Sequence, residues 1–365
     1  MTAIDLGTLG GRSSKAVDVS PSGQVVGNSD TAQALTEHAF SWTQQGGMVD
    51  LGTLGGGFST AVAVNARGQV VGDSLTAEAL TEHAFSWTQQ GGMVDLGTLG
   101  GTVSVASAVN AAGQVVGDSF TSIGFIRAFS WTQKGGMVDL GTLGGGASSA
   151  TNVNSRGQVV GTGGTPEGLL HAFSWTQSGG MVDLGTLGGD ISRAVDVSES
   201  GQVVGESAIV PGDGRFVPTH AFSWTKAGGM VDLGTLGGDF STATAVNSAG
   251  LVVGVSTTVP GDPRFLPTHA FYWTPAGGMV DLGTFGGFVS EAEDVNARGQ
   301  VVGDAALAGN SAGHAFSWTR TGGMVDLGTL GGTFSTGTAV NAGGDVAGSS
   351  LTTGNAAFHA TLWHT

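Results

Sequence analysis

The chain has 365 residues, 68 of them glycine and none cysteine, with a formal net charge of −16. Twelve Lys and Arg against 28 Asp and Glu leave no basic face for nucleic acid or for an anionic membrane surface. No apolar run of about 18 residues is present to span a bilayer, and there is no thiol for a disulfide, a nucleophile or a metal.

The first residues, Met1-Thr-Ala-Ile-Asp-Leu6, lack a basic region and an apolar run, so no export signal is expected in this sequence. Asp5 opens the block Asp-Leu-Gly-Thr-(Leu/Phe)-Gly-Gly, which returns at Asp50, Asp95, Asp139, Asp183, Asp232, Asp281 and Asp326. The steps between them are 45, 45, 44, 44, 49, 49 and 45 residues. The eight tryptophans keep the same phase, from Trp42 to Trp363. Glycine at fixed positions indicates ordered turns, and units this small must stack on one another to bury a core.

Residues 59–99 show one unit. Ser59–Val64 alternates small and β-branched residues, and Asn65-Ala66-Arg67-Gly68 reads as a type I turn closed by a left-handed Gly. Gln69–Gly72 is a second strand, followed by a loop whose length varies between units. His83–Thr88 is a third strand, Gly91-Gly92 turns it, and Met93–Leu99 is a fourth. The chain begins inside a unit, at a fourth strand (Ala3–Leu9), and ends after a third (359–363). The expected fold is therefore all-β: a single domain over residues 1–365, an eight-bladed β-propeller with four antiparallel strands per blade. Residues 1–9 complete the last blade and hide its free edge.

In "HAFSW", His38, Phe40 and Trp42 share one face, and Ala39 and Ser41 the other, so the bulky face of one blade fills the small face of its neighbour. Folding about the QQGG turn predicts Ser41 opposite Asp50 and His38 opposite Thr53, with a serine hydroxyl satisfying the carboxylate. The alternatives are a ring of eight cation-binding carboxylates, Asp50 and its equivalents, less favoured because buried polar groups are normally paired, and a ring of metal-binding histidines. The distance between blades and the replacement of the third histidine by Arg127 argue against the latter. The glycine-rich DLGTLGG lacks the spacing, helix and lysine of a phosphate loop.

The combination "HAFSWT…GGMVDLGTLGG…AVNxxGQVVG" resembles the HAF repeat of bacterial proteins over all eight units. The resemblance implies an extracellular or surface location and supplies no activity, substrate or catalytic residue. Departures are Arg127, HATLW at 359–363 and the absent export signal. Residues 31–56 and 76–101 differ only at Gln33/Glu78, which points to recent amplification or deliberate design.

Variation is concentrated in the loops between second and third strands, so the face that carries them is the expected binding face. The two 49-residue units owe their length to 208–219 and 257–268, which place Asp213, Arg215, Phe216 and Asp262, Arg264, Phe265 together. An aromatic beside an arginine suits a sugar or a protein surface; a loop packed on its own side chains is the alternative. In the seventh unit Glu291, Glu293 and Asp294 are weak candidates for a hard cation, or else solvated carboxylates. With one tyrosine, no cysteine and histidines mostly at the repeated position, the chain is expected not to be an enzyme and to need no cofactor. It is expected to be monomeric, binding a carbohydrate or protein surface. The alternatives are a structural scaffold without ligand and a lyase or hydrolase with a site at Glu291 and Glu293.

Overall fold

The computed structural model describes residues 2–78, 81–212, 217–262 and 267–364. Among these, a single 3-10 turn at Thr353–Asn355 interrupts an otherwise all-β chain. Within a repeat four strands pair antiparallel in chain order, except in the last, where Thr2–Asp5 supplies the fourth, and single parallel bridges such as Glu37↔Phe58 continue the sheet from one repeat into the next. In the second repeat the strands are Gly55–Val64, Val70–Thr76, Glu82–Thr88 and Gly92–Asp95. The first two are longer than the alternation predicts, because pairing continues from Gly55↔Thr76 to Val64↔Val70. The fourth is shorter. Gly68 sits at φ +79 and its N–H donates to Asn65 O at 3.0 Å, closing the NARG turn as expected.

The hairpin between third and fourth strands departs from the predicted register. Its pairs are Phe40↔Asp50, Ser41↔Val49, Trp42↔Met48 and Thr43↔Gly47. Three residues, Gln44 to Gly46, make the loop, and Gly47 at φ +66 provides the left-handed closing position. A three-residue loop of this kind shifts the register by one relative to an even-numbered turn, and a shift of one moves every side chain to the other face. Asp50 consequently lies on the face of His38 and Phe40, not beside Ser41.

The chain forms two compact units: residues 1–139 with 327–365, and residues 140–326. In the first unit, Thr2–Asp5 completes the sheet of the last repeat, with Ala3↔Trp363 and Asp5↔Thr361 in register. The expected closure of that sheet by the N-terminal strand is thus present. The last repeat also packs on the first: Leu362, Ala360 and Ala347 share a core with Phe40, Val25 and Trp42. In the second unit, the four repeats follow one another from Ser148–Val153 to Gly323–Gly328.

Packing between repeats follows the alternation of HAFSW. Phe85, Val64 and Val70 of the second repeat pack on Ala39 and Val26 of the first, with Leu51 of the connecting segment beneath. Phe85 and Ala39 are fully buried. Burying this phenylalanine, present in every repeat but the last, where Thr361 replaces it, contributes about 1.5–3 kcal/mol per ring. The inner strand carries a bulge between Ala61 and Ala63. Gly72 lies against it so closely that a Cβ there would meet Thr60 O at 1.8 Å. The bulge frees the Ala61 N–H, which donates to Asn28 Oδ1 of the preceding repeat at 2.7 Å.

Candidate functional site

The histidine and aspartate of each repeat meet. His38 Nδ1 lies 2.9 Å from Asp50, and the pairs His83–Asp95, His171–Asp183, His220–Asp232, His269–Asp281, His314–Asp326 and His359–Asp5 repeat the contact at 2.8–2.9 Å. The same carboxylate accepts the Gly52 N–H at 2.8 Å. It therefore fastens the segment leaving the sheet to the strand it leaves. Arg127, where histidine is missing, keeps the partner, with Nε 3.9 Å from Asp139. The aspartate is satisfied as expected, but by the ring across the strand pair and not by serine. Among the described residues, no three His, Cys, Asp or Glu side chains are grouped to hold a metal ion.

Glu291, Glu293 and Asp294 lie on the strand Gly286–Val295, with Glu291 directly opposite Asp304. A bulge between Ala292 and Asp294 breaks the simple alternation that would set both glutamates on one face. Burial pushes the Asp304 carboxyl up to about 7, and the like charges of Glu291 and Glu293 add to the shift. Asp196, the fifth repeat's counterpart of Asp294, ties three repeats of the second unit. It accepts from Asn152 Nδ2 at 2.6 Å and from the Val246 N–H at 2.8 Å. Burial pushes it up to about 6 against those hydrogen bonds, and Asp294 raises it further. Asp18 of the first unit accepts the Val64 N–H in the same way, at 2.8 Å.

Strand pairing puts the loops between second and third strands, and the segments joining repeats, at one end of each sheet; both tight turns lie at the other. Asp213, Arg215, Phe216, Arg264 and Phe265 fall outside the described residues. Asp262 is half-buried at the start of the sixth repeat's long loop. The bases of the two long loops are built alike. Ile209 N–H donates to Pro218 O at 3.2 Å and Thr258 N–H to Pro267 O at 3.1 Å. Asp190 accepts the Gly212 N–H and Asp239 the Gly261 N–H, at 3.1 and 2.9 Å.

Large apolar side chains are exposed at this loop end. In the first unit they include Leu35, Phe58, Ile123, Phe125 and Phe334; in the second, Val210, Val259, Phe288 and Val289. Phe58, with Arg12, Asp30 and Thr36, lines a cleft of about 380 Å³. The guanidinium of Arg127 stands 5.4 Å from the centre of the Phe125 ring. The turn end is not featureless, however. It holds the larger space, a groove of about 710 Å³ between the first two repeats, which loop-length variation gave no reason to expect.

A buried serine that the sequence reading passed over joins successive repeats. Ser59 Oγ accepts the Ala39 N–H at 2.9 Å and donates to Gly52 O at 2.6 Å. Ser14, Ser104, Ser192, Ser241 and Ser290 do the same for Ala360, Ala84, Ala172, Ala221 and Ala270. Its signal in the sequence is a serine that stays fixed in all eight repeats while both neighbours vary.

No family model and no curated protein matches the chain. Among solved structures it is similar to TolB from Acinetobacter baumannii, at 11% identity and a TM-score of 0.42, covering 79% of this chain and 74% of that one. It is similar to a gluconolactonase from Xanthomonas campestris at 10% identity and a TM-score of 0.35, covering 82% and 85%. It is also similar to a protein provisionally assigned as a 6-phosphogluconolactonase from Bacteroides uniformis, at 11% identity and a TM-score of 0.34, covering 86% and 95%. Two of these three are lactonases by description, which corrects the expectation that the chain is not an enzyme. Likeness at this level assigns no reaction to it. No described helix is long and apolar enough to cross a membrane.

Proposed function

We propose that the eight repeats close into one eight-bladed β-propeller that serves as an extracellular interaction module, engaging a protein surface with the loop end of its sheets. The observation that carries this reading is the exposure of phenylalanine, isoleucine and leucine at that end, Phe58, Ile123 and Phe288 among them, whereas the large apolar residues exposed on the fourth strands are all valines, Val49 and its equivalents. Exposed apolar groups gathered on one side of a soluble chain mark interaction surfaces more often than chance placement does. Pairing of Thr2–Asp5 with Phe358–His364 and packing of the last repeat on the first support the closure. The extracellular location rests on the resemblance to the HAF repeat.

Short grafts in place of 208–219 and 257–268, combined with Phe58→Ser and Phe288→Ser, test the reading. A partner captured from the extracellular fraction of the source organism, then purified, should bind the variant at least about tenfold more weakly by surface plasmon resonance. Unchanged binding, with the same fold by circular dichroism, would remove the loop end from consideration.

A further inference from the structure

The turn end offers a second, independent feature. The groove of about 710 Å³ between the first and second repeats is lined by Gln24, Ser41, Thr43 and Val49 on one side and by Arg67, Trp87 and Gln89 on the other. Gln24 Nε2 donates to Ser41 Oγ at 2.8 Å, which holds both polar groups at the edge of the space. Val49 is 46% exposed there. Three positions define it: the glutamine before the second strand, the residue after phenylalanine in the third, and the tryptophan of the following repeat.

Two other boundaries show what these positions do when their residues change. Between the sixth and seventh repeats, Leu251 replaces the glutamine and Tyr272 replaces the serine. The Tyr272 ring lies 4.9 Å from the Trp318 ring, tilted by 35°. Leu251, Tyr272 and Trp318 form one apolar cluster. There the protein lays a six-membered ring of its own on the indole. Between the last repeat and the first, Leu362 stands at the serine position and Asp345 at the glutamine position, and Asp345 accepts from His364 Nδ1 at 2.7 Å. The groove beside Trp42 shrinks to about 410 Å³, and Trp42 is only 8% exposed. The space beside the tryptophan is thus set by two residues: filled by a ring, narrowed by a leucine, or left open by Ser41 and Gln24.

We infer that the open groove between the first and second repeats is a binding site for a neutral sugar ring, stacked on Trp87. Its hydroxyls would exchange hydrogen bonds with Gln24, Thr43 and Gln89. A pyranose has the dimensions of the ring that occupies the equivalent place at Trp318, and an aromatic wall with a few polar groups at its rim is the ordinary composition of a small-ligand site. Amide and hydroxyl groups both donate and accept, as sugar hydroxyls require. The net charge of −16 repels uronic acids, sialic acids and sugar phosphates, against the single cation of the lining, Arg67, whose guanidinium donates to Ala112 O at 3.4 Å.

The molecule supplies its own control. The substitutions Gln24→Leu and Ser41→Tyr copy the filled boundary into the open one, with a residue pair this fold already accommodates. The probes are cellotriose, maltotriose, mannotriose and chitotriose, with sialyllactose as the anionic comparison, titrated calorimetrically against the full chain. At least one neutral trisaccharide should bind saturably with millimolar or better affinity, and sialyllactose should not. The double variant should bind at least one fewer ring per chain, or none, and the milder Trp87→Phe should weaken binding by about threefold or more. The inference is overturned if none of the four neutral probes binds at millimolar concentration, or if the double variant keeps the full stoichiometry.

Discussion

Single residues in this chain are governed by which face they occupy, and one position of register decides it. The alternation in HAFSW showed that phenylalanine and tryptophan point together, and the structure buries Phe40 and Phe85 completely. The partner of Asp50 was not legible, because QQGG accommodates an even-numbered or a three-residue loop, and only the left-handed Gly47 selects the latter. Asp304 shows the same dependence on neighbours that sequence separation hides, since Glu291 comes to face it only through strand pairing. The folded chain holds the proton of Asp304 up to about 7, whereas an unfolded carboxyl releases it near 3.8. The stability this proton contributes is therefore full below the lower value and lost as the pH rises through the upper one. Asp304→Asn keeps the uncharged form, so at about pH 8 it should raise the urea midpoint above that of the parent. The parent's decline between about pH 4 and pH 7 should also flatten. Equal midpoints at the higher pH would contradict the assignment.

At the level of strands and turns, repetition made most of the architecture readable. Four strands per repeat, the NxxG turn and the pairing of the first residues with the last all follow from punctuation repeated eight times. What stayed hidden were the bonds between repeats, because their partners lie far apart in the chain: Ser59 with Ala39, Asn28 with Ala61, Asn65 Nδ2 with Asn110 O. The two kinds of recurring polar contact should differ in weight. Ser59→Ala strands a buried N–H and a carbonyl and should cost about 1–3 kcal/mol. The half-exposed His38–Asp50 pair is softened by solvent, so His38→Ala should cost less than about 1 kcal/mol. Urea midpoints of the two variants check the order; a larger loss for His38→Ala would assign the histidine a role the geometry does not explain.

For the whole molecule, the strand Thr2–Asp5 is an edge element whose removal leaves Phe358–His364 unpaired on one side without touching any core phenylalanine. Deleting residues 2–5 should expose Phe358–His364 and favour self-association, visible as a concentration-dependent mass in sedimentation. A variant that stays monomeric with an unchanged melting temperature would show that the pairing is dispensable. The same feature bears on how the chain is made. His359 meets Asp5 across a separation of 354 residues. The ribosome thus releases one half of this hairpin some 354 residues before the other. In between, the early strand waits beside other nascent chains without a partner of its own. Crowded polysomes would offer it another chain's Phe358–His364 before its own, so slow expression should yield single chains and heavy overexpression a ladder of strand-exchanged oligomers.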